Sequence, residues 1–114
     1  METQQQTLRR GDIVIAKGSA YGNPESYHCA VIVSNNKINA FSSNVVVCWI
    51  RPGDNRLDLS THARIYSSGI ASTVAGEAIQ FIAKKNIDRL IGECNEIEME
   101  RINRCIGEAV LCGE

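Results

Sequence analysis

The sequence predicts an α+β domain: a curled antiparallel sheet, forming a small β-barrel or sandwich, followed by one C-terminal helix. Three observations carry that prediction. Two short runs, Cys29 to Val33 and Val45 to Ile50, are rich in β-branched residues and apolar almost throughout, as in strands buried on both faces. Strand-like patterns separated by turn residues fill most of the chain as far as Ala83. Only after Asn95 does a long helical stripe appear, in Met99, Ile102, Ile106, Ala109 and Val110.

Each element can be justified in order. Residues 1–8 are polar and Gln-rich and read as a flexible N-terminus, leaving residues 9–114 as a single domain. Ile13-Val14-Ile15-Ala16 is a short first strand. Lys17 to Tyr27 carries two Gly, a Pro and an Asn and reads as a loop. The two apolar runs then form a central hairpin, joined by the Ser- and Asn-rich stretch SNNKINAFSSN, whose residues suit turns. Arg51 to Arg56 is a turn cluster, in which Pro52 keeps Arg51 out of a helix.

Leu57 to Ile65 alternates as a half-buried strand, with Leu57, Leu59, Thr61, Ala63 and Ile65 inward and Asp58, Ser60, His62 and Arg64 outward. Ser67-Ser68-Gly69 breaks it. Ser72 to Ala83 reads as one or two further strands, with Gly76 marking a bulge or a close approach. Lys84 to Glu93 reads as a short helix or helical turn around Ile87, Leu90 and Ile91. Asn95 and Glu98 fit an N-cap pair for the long helix, with Glu96 and Glu98 at the positive end of its dipole, and Gly113 is its expected stop.

At 114 residues there is room for one core. The 44% apolar and 22% charged fractions are those of a globular protein. No stretch approaches the roughly eighteen apolar residues of a membrane span, so no membrane association is expected. The N-terminus lacks the apolar centre of a secretion signal, which predicts a cytoplasmic protein. The five cysteines match no zinc spacing, and Cys29 and Cys48 lie in apolar strands, where reduced thiols act as small hydrophobes. Residues 1–64 hold seven Lys/Arg against five Asp/Glu, whereas residues 65–114 hold five against eight. The β part is therefore the face for an anionic partner, though without the basic stripe of a non-specific nucleic-acid binder.

Several pieces in order resemble the MazF/PemK family, toxins of bacterial toxin–antitoxin pairs. They are Arg10-Gly11-Asp12 before the first strand, a Gly-bearing loop, and Val31-Ile32-Val33-Ser34-Asn35, with Asn39 and Ser42 ahead of Val45-Val46-Val47. Leu59-Ser60-Thr61-His62, Glu77-Ala78-Ile79, Lys84, Arg89-Leu90 and a closing helix complete the set, from Arg9 to Leu111. The resemblance implies a small SH3-like barrel (the CcdB/PemK-like fold) with appended helices, usually a homodimer. It implies sequence-specific, metal-independent cleavage of single-stranded RNA to a 2′,3′-cyclic phosphate and a 5′-hydroxyl, with no cofactor, causing growth inhibition. A cognate antitoxin would wrap the dimer and block the RNA groove.

Such cleavage requires deprotonation of the 2′-hydroxyl, stabilisation of the phosphorane charge and protonation of the leaving 5′-oxygen. The family's Arg before the second strand falls on His28, and its Thr after the third strand falls on Arg51, so neither identity is kept. Its later acid falls on Glu77, while an Arg that one branch carries two residues earlier falls on Ala75. The replacements retain chemistry. Histidine is suited to proton transfer near neutrality, which makes His28 the candidate general base. Arg51 can neutralise the phosphorane, and Glu77 can orient either residue or form a structural ion pair. The alternative is a solvated strand-entry His28 and a turn cation at Arg51.

His62, in the outward set of its strand, reads as a surface or interface residue before a catalytic one. The expected RNA contacts are Lys17, Ser19, Tyr21, Asn23, Tyr27 and Arg64, with residues 19–26 forming a mobile loop beside the site. Trp49 reads as core or dimer interface before a base-stacking platform. Two other functions compete: a catalytically silent relative that binds RNA or a protein partner, and a CcdB-like topoisomerase poison.

Overall fold

The computed structural model describes residues 7–19 and 22–111. Strands β1 (Asp12–Lys17), β2 (Tyr27–Ile32) and β3 (Asn44–Pro52) are the three apolar runs of the N-terminal half, with a short helix α1 (Asn36–Phe41) between β2 and β3. Then come β4 (His62–Ile65), the twelve-residue β5 (Ser72–Ala83), a 3₁₀ turn, β6 (Ile87–Glu93) and helix α2 (Glu96–Ile106), which continues into a π-helical turn over Gly107–Leu111.

The six strands make one antiparallel sheet in the order β4-β5-β3-β2-β1-β6, and with the C-terminal helix this is an α+β fold. The sheet curls so that its far edges approach: a Cβ added to Gly92 in β6 would lie 3.0 Å from the Ser67 carbonyl, just beyond β4. No β4–β6 ladder joins them among the described residues, so the barrel is curled rather than closed. Because successive strand residues point to opposite faces, the central strands feed two cores. Val14, Ala30, Val47 and Trp49 fill one face. Ile13, Val31 and Cys48 fill the other, with Ile102 of α2 packed against them.

Several expectations change. The polar linker between β2 and β3 contains α1, capped by Asn35, whose side chain accepts from the Ile38 N–H at 2.9 Å. Its Asn and Ser residues serve as internal hydrogen bonders rather than turn formers. Asn39 is 1% exposed; it accepts from the Ser34 hydroxyl at 2.5 Å and donates to the Ser34 carbonyl at 2.8 Å. The segment expected to be a helical turn at Lys84–Glu93 is helical only over Lys84–Asn86 and then pairs with β1 through two register shifts. There Ile87, Leu90 and Ile91 mimic a helical spacing, but the open edge of β1 takes the chain as a strand.

The alternating strand expected from Leu57 is a strand only from His62, the preceding residues forming turns. Ser72–Ala83 is one strand, and Gly76 combines both expectations: β5 bulges there, and an added Cβ would stand 2.4 Å from the Cys105 carbonyl of α2. The predicted capping box is present, with Asn95 accepting from the Glu98 N–H at 2.8 Å and Glu98 accepting from the Asn95 N–H at 3.1 Å. Buried Glu98 also accepts from the Ser67 hydroxyl at 2.5 Å and the Tyr66 N–H at 2.7 Å, tying α2 to the turn after β4. Val110 does not complete the buried stripe but is exposed. The expected stop at Gly113 and residues 1–6 of the stretch 1–8 expected to be flexible lie outside the described residues, whereas Leu8 of that stretch is buried in the core beside Val14 and Trp49, because its side chain is apolar.

Candidate active site

On the face that carries Trp49, β3, β4, β5 and the loop between β3 and β4 line a cavity of about 290 Å³. Arg51 comes from β3, Asn55 and Arg56 from the loop, His62 from β4, and Thr73 and Glu77 from β5. Register explains the convergence. Arg51 pairs with Thr73 and His62 with Ala75, and paired residues share a face. The β3–β5 ladder then jumps from Ile50↔Val74 to Cys48↔Ile79, so residues 75–78 bulge opposite Trp49. A bulge re-aims the side chains it carries, and here it turns Glu77 towards His62.

The His62 side chain is 11% exposed, and both ring nitrogens are engaged. Nδ1 lies 2.7 Å from the Asn55 carbonyl oxygen and Nε2 lies 2.8 Å from Glu77 Oε2. A carbonyl only accepts, so Nδ1 carries a hydrogen; a carboxylate also accepts, so the pair is an imidazolium against a carboxylate. Burial alone lowers the His62 pKa, but the Asn55 carbonyl and the bond and charge of Glu77 outweigh it and hold it above its ordinary value. Burial pushes the Glu77 pKa up, and hydrogen bonds from His62 and Thr61 more than reverse this, leaving it below its ordinary value. The two opposite shifts are those of an ion pair, a protonated imidazole beside a carboxylate. The Glu77 side chain is 53% exposed, so one side of the pair is open to a ligand.

The expected site residues are distributed unevenly. Arg51 and Glu77 line the same cavity. His28 meets the edge of the Trp49 ring at 6.2 Å between centroids and an interplanar angle of 83°. Extending the β2–β3 register, in which Ala30 pairs with Trp49, puts His28 opposite Arg51 on the cavity face. Glu77 bonds to His62, the residue assigned to the surface. His62 does point away from Ala63 and Ile65, as alternation required; that side of β4 is the cavity wall.

Lys17 pairs with Glu25 at 3.6 Å and stands 5.7 Å from the centroid of the exposed Tyr27 ring. The Ser19 N–H donates to Gln80 Oε1 at 3.1 Å, and Asn23 Oδ1 accepts from the Glu25 N–H at 3.0 Å. Tyr21 lies outside the described residues. Arg64 makes a two-pronged ion pair with Asp54, at 3.0 and 2.5 Å. Trp49 is core, as expected, with its indole N–H on Gln80 Oε1 at 2.9 Å. Burial pushes the Cys48 and Cys94 thiols up to about 12, so neither is a nucleophile. Thr73, Asn55 and Arg56 carried no sequence signal, because each becomes a site residue only through the fold of the β3–β4 loop.

Among the described residues, no group of three or more His, Cys, Asp or Glu side chains is arranged to hold a metal ion, and no helix is long and apolar enough to cross a membrane.

Residues 9–110 match the family described as PemK-like, MazF-like toxin of type II toxin–antitoxin system. No curated protein matches the chain in sequence. Among solved structures, an endoribonuclease in complex with its cognate antitoxin from a mycobacterial species superposes with a TM-score of 0.78 at 21% identity, covering 94% of this chain and 98% of that one. MazF from Deinococcus radiodurans superposes with a TM-score of 0.76 at 9% identity, covering 91% and 96%. A MazF toxin of Mycobacterium tuberculosis gives 0.71 at 20% identity, covering 86% and 94%.

Proposed function

The chain belongs to the PemK-like, MazF-like toxins of type II toxin–antitoxin systems, and on that premise we propose that it is a metal-independent, sequence-specific endoribonuclease acting on single-stranded RNA. The observation that carries this reading is the His62–Glu77 pair facing Arg51 across one cavity. The resemblance to an endoribonuclease bound to its antitoxin supports it.

In this proposal the scissile phosphate sits over Arg51, whose guanidinium stabilises the charge that grows as the 2′-oxygen attacks. His62, kept protonated by Glu77, gives its Nε2 proton to the departing 5′-oxygen, which takes the place of the half-exposed Glu77 carboxylate on that nitrogen. His28, on the other flank of Trp49, accepts the proton of the 2′-hydroxyl. The bond formed is 2′-O to phosphorus, the bond broken is phosphorus to 5′-O, and the products are a 2′,3′-cyclic phosphate and a 5′-hydroxyl. The RNA lies along the β1–β2 loop, where Lys17, Ser19, Asn23 and the half-exposed Tyr27 meet flanking nucleotides. Arg64 contributes where a phosphate displaces Asp54.

The reading extends to a cytoplasmic homodimer held by a cognate antitoxin. Phe41 and Phe81 are 85% and 63% exposed, and large apolar side chains left in solvent mark surfaces that partners cover.

The test is cleavage of a long single-stranded RNA by the purified protein in EDTA, with end-group mapping. Cuts at a recurring short sequence, ending in cyclic phosphate and lost in His62→Ala and Arg51→Ala, are the expected result. Intact RNA from a folded protein would leave a member of the family that binds without cutting.

A further inference from the structure

The loop between β3 and β4 is fastened at more points than a connection requires. Gly53 starts it with φ of 81° and donates its N–H to the Ala71 carbonyl at 2.9 Å. Arg56 takes a left-handed φ of 47°, which non-glycine residues adopt at some cost and which is common where a site demands a particular chain path. Asp54 is held by Arg64. At the centre, the Thr73 hydroxyl, on a residue that is 2% exposed, donates to the Gly53 carbonyl at 2.7 Å and accepts from the Asn55 N–H at 3.0 Å. One buried oxygen thus grips both sides of Asp54, and the next carbonyl along, that of Asn55, meets His62 Nδ1.

We propose that Thr73 is the positioning residue of this site: its hydroxyl straps residues 53–55 to β5 so that the Asn55 carbonyl stays on His62 Nδ1 and, with Glu77 on Nε2, the ring is held with a hydrogen on both nitrogens. The catalytic meaning of the strap rests on the ribonuclease reading; the strap itself does not. A carbonyl and a carboxylate both only accept, so the charged ring satisfies both bonds and the neutral ring must give one up; the anionic Glu77 keeps the hydrogen on Nε2, and the bond given up is the one to Asn55. The groups that bear on the ring are Glu77 from β5, Arg56 and Asp58 from the loop, and Arg51 on the β3 wall of the same cavity. Of these, Glu77 contacts a ring nitrogen, at 2.8 Å. Replacing Thr73 with Val keeps the shape but strands the Gly53 carbonyl and the Asn55 N–H, which favours release of the loop.

The test uses long-range nitrogen–proton NMR of the free protein across pH. The chain has two histidines, and a His28→Gln sample assigns the remaining signal to His62. In the wild type, both His62 nitrogens are expected to carry hydrogens below the midpoint, and Nδ1 to lose its hydrogen above it while Nε2 keeps the one that Glu77 accepts. In Thr73→Val the midpoint is expected to fall by about one pH unit, because the Asn55 carbonyl no longer favours the charged ring, and Thr73→Ser is expected to restore it. Thr73→Ala is the second variant should valine not fold at this buried position. A wild-type midpoint no higher than the ordinary 6.5 of histidine overturns the proposal, as does a folded Thr73→Val or Thr73→Ala protein whose midpoint matches the wild type. No RNA enters the experiment. A strap that holds in a protein that leaves RNA intact therefore sinks the ribonuclease reading alone, and cleaved RNA with an indifferent Thr73 sinks the strap alone.

Discussion

The two histidines of the chain stand on the same face of the sheet, three strands apart, and are held in opposite ways. In a flat sheet that spacing is about 14 Å, and the curl of this one shortens the reach between their side chains. His62 is nearly buried, with a carbonyl on one nitrogen and a carboxylate on the other. His28 sits at the entry to β2 with an aromatic ring edge beside it. The first arrangement favours the protonated ring; the second sets an imidazole against an aromatic ring. The contrast shows that residue type alone does not assign acid and base. The groups that touch the ring decide, and they come from segments remote in sequence, Asn55 in a turn and Glu77 on a bulge.

Substitution tests that contrast from its largest expected effect downward. His62→Ala is expected to lower the rate of RNA cleavage by about a thousandfold, since it removes both the proton donor and the charge beside the phosphate. His28→Ala should cost about a hundredfold in the same single-turnover assay. Equal losses would make the two imidazoles interchangeable, and an unaffected His28→Ala would leave His62 as the sole catalytic imidazole. Glu77→Gln should cost about tenfold at neutral pH and bring the alkaline fall in activity to lower pH, because burial, which lowers the His62 pKa, would no longer be offset by the carboxylate. An unmoved alkaline limb would show that Glu77 does not set the state of His62.

The smallest effect is on stability. A raised histidine pKa stabilises the fold fully below its ordinary value of 6.5 and ceases to do so as pH rises through the folded value. A lowered glutamate pKa stabilises fully above its ordinary value of 4.5 and ceases to do so as pH falls through the folded value. The difference in melting temperature between wild type and Glu77→Gln should therefore be greatest between about pH 4.5 and 6.5 and shrink on either side. A difference independent of pH would mean that the pair is not ionic.

What the sequence disclosed followed from where each signal resides. β1, β2 and β3 were legible because strands buried on both faces need continuous apolar runs, and α2 because its stripe and its Asn95–Glu98 cap are local. α1 was hidden because Asn39 and Ser34 satisfy one another inside the fold, which a count of turn-forming residues cannot register. β6 was hidden because an edge strand half in solvent lacks clear alternation. Within the site, Arg51 and Glu77 were singled out by position, and both line the cavity. His62 was assigned to the surface because alternation reports which side of a strand a residue takes, not whether that side is solvent or the wall of a cavity. Thr73 resembled any strand threonine until the loop folded over it.

Gly76 has a consequence for any hunt for survivors of the toxin. A side chain there collides with the backbone of α2 at Cys105, a contact that no rotamer relieves, and the next residue is Glu77. Gly18 is in a similar position, since its added Cβ would lie 2.3 Å from the Trp49 ring. In a mutagenised library expressed without its antitoxin, the colonies that grow should therefore carry changes at these two glycines as readily as at His62 or Arg51. The genetic map of harmlessness would then trace the points of tightest packing together with the chemistry.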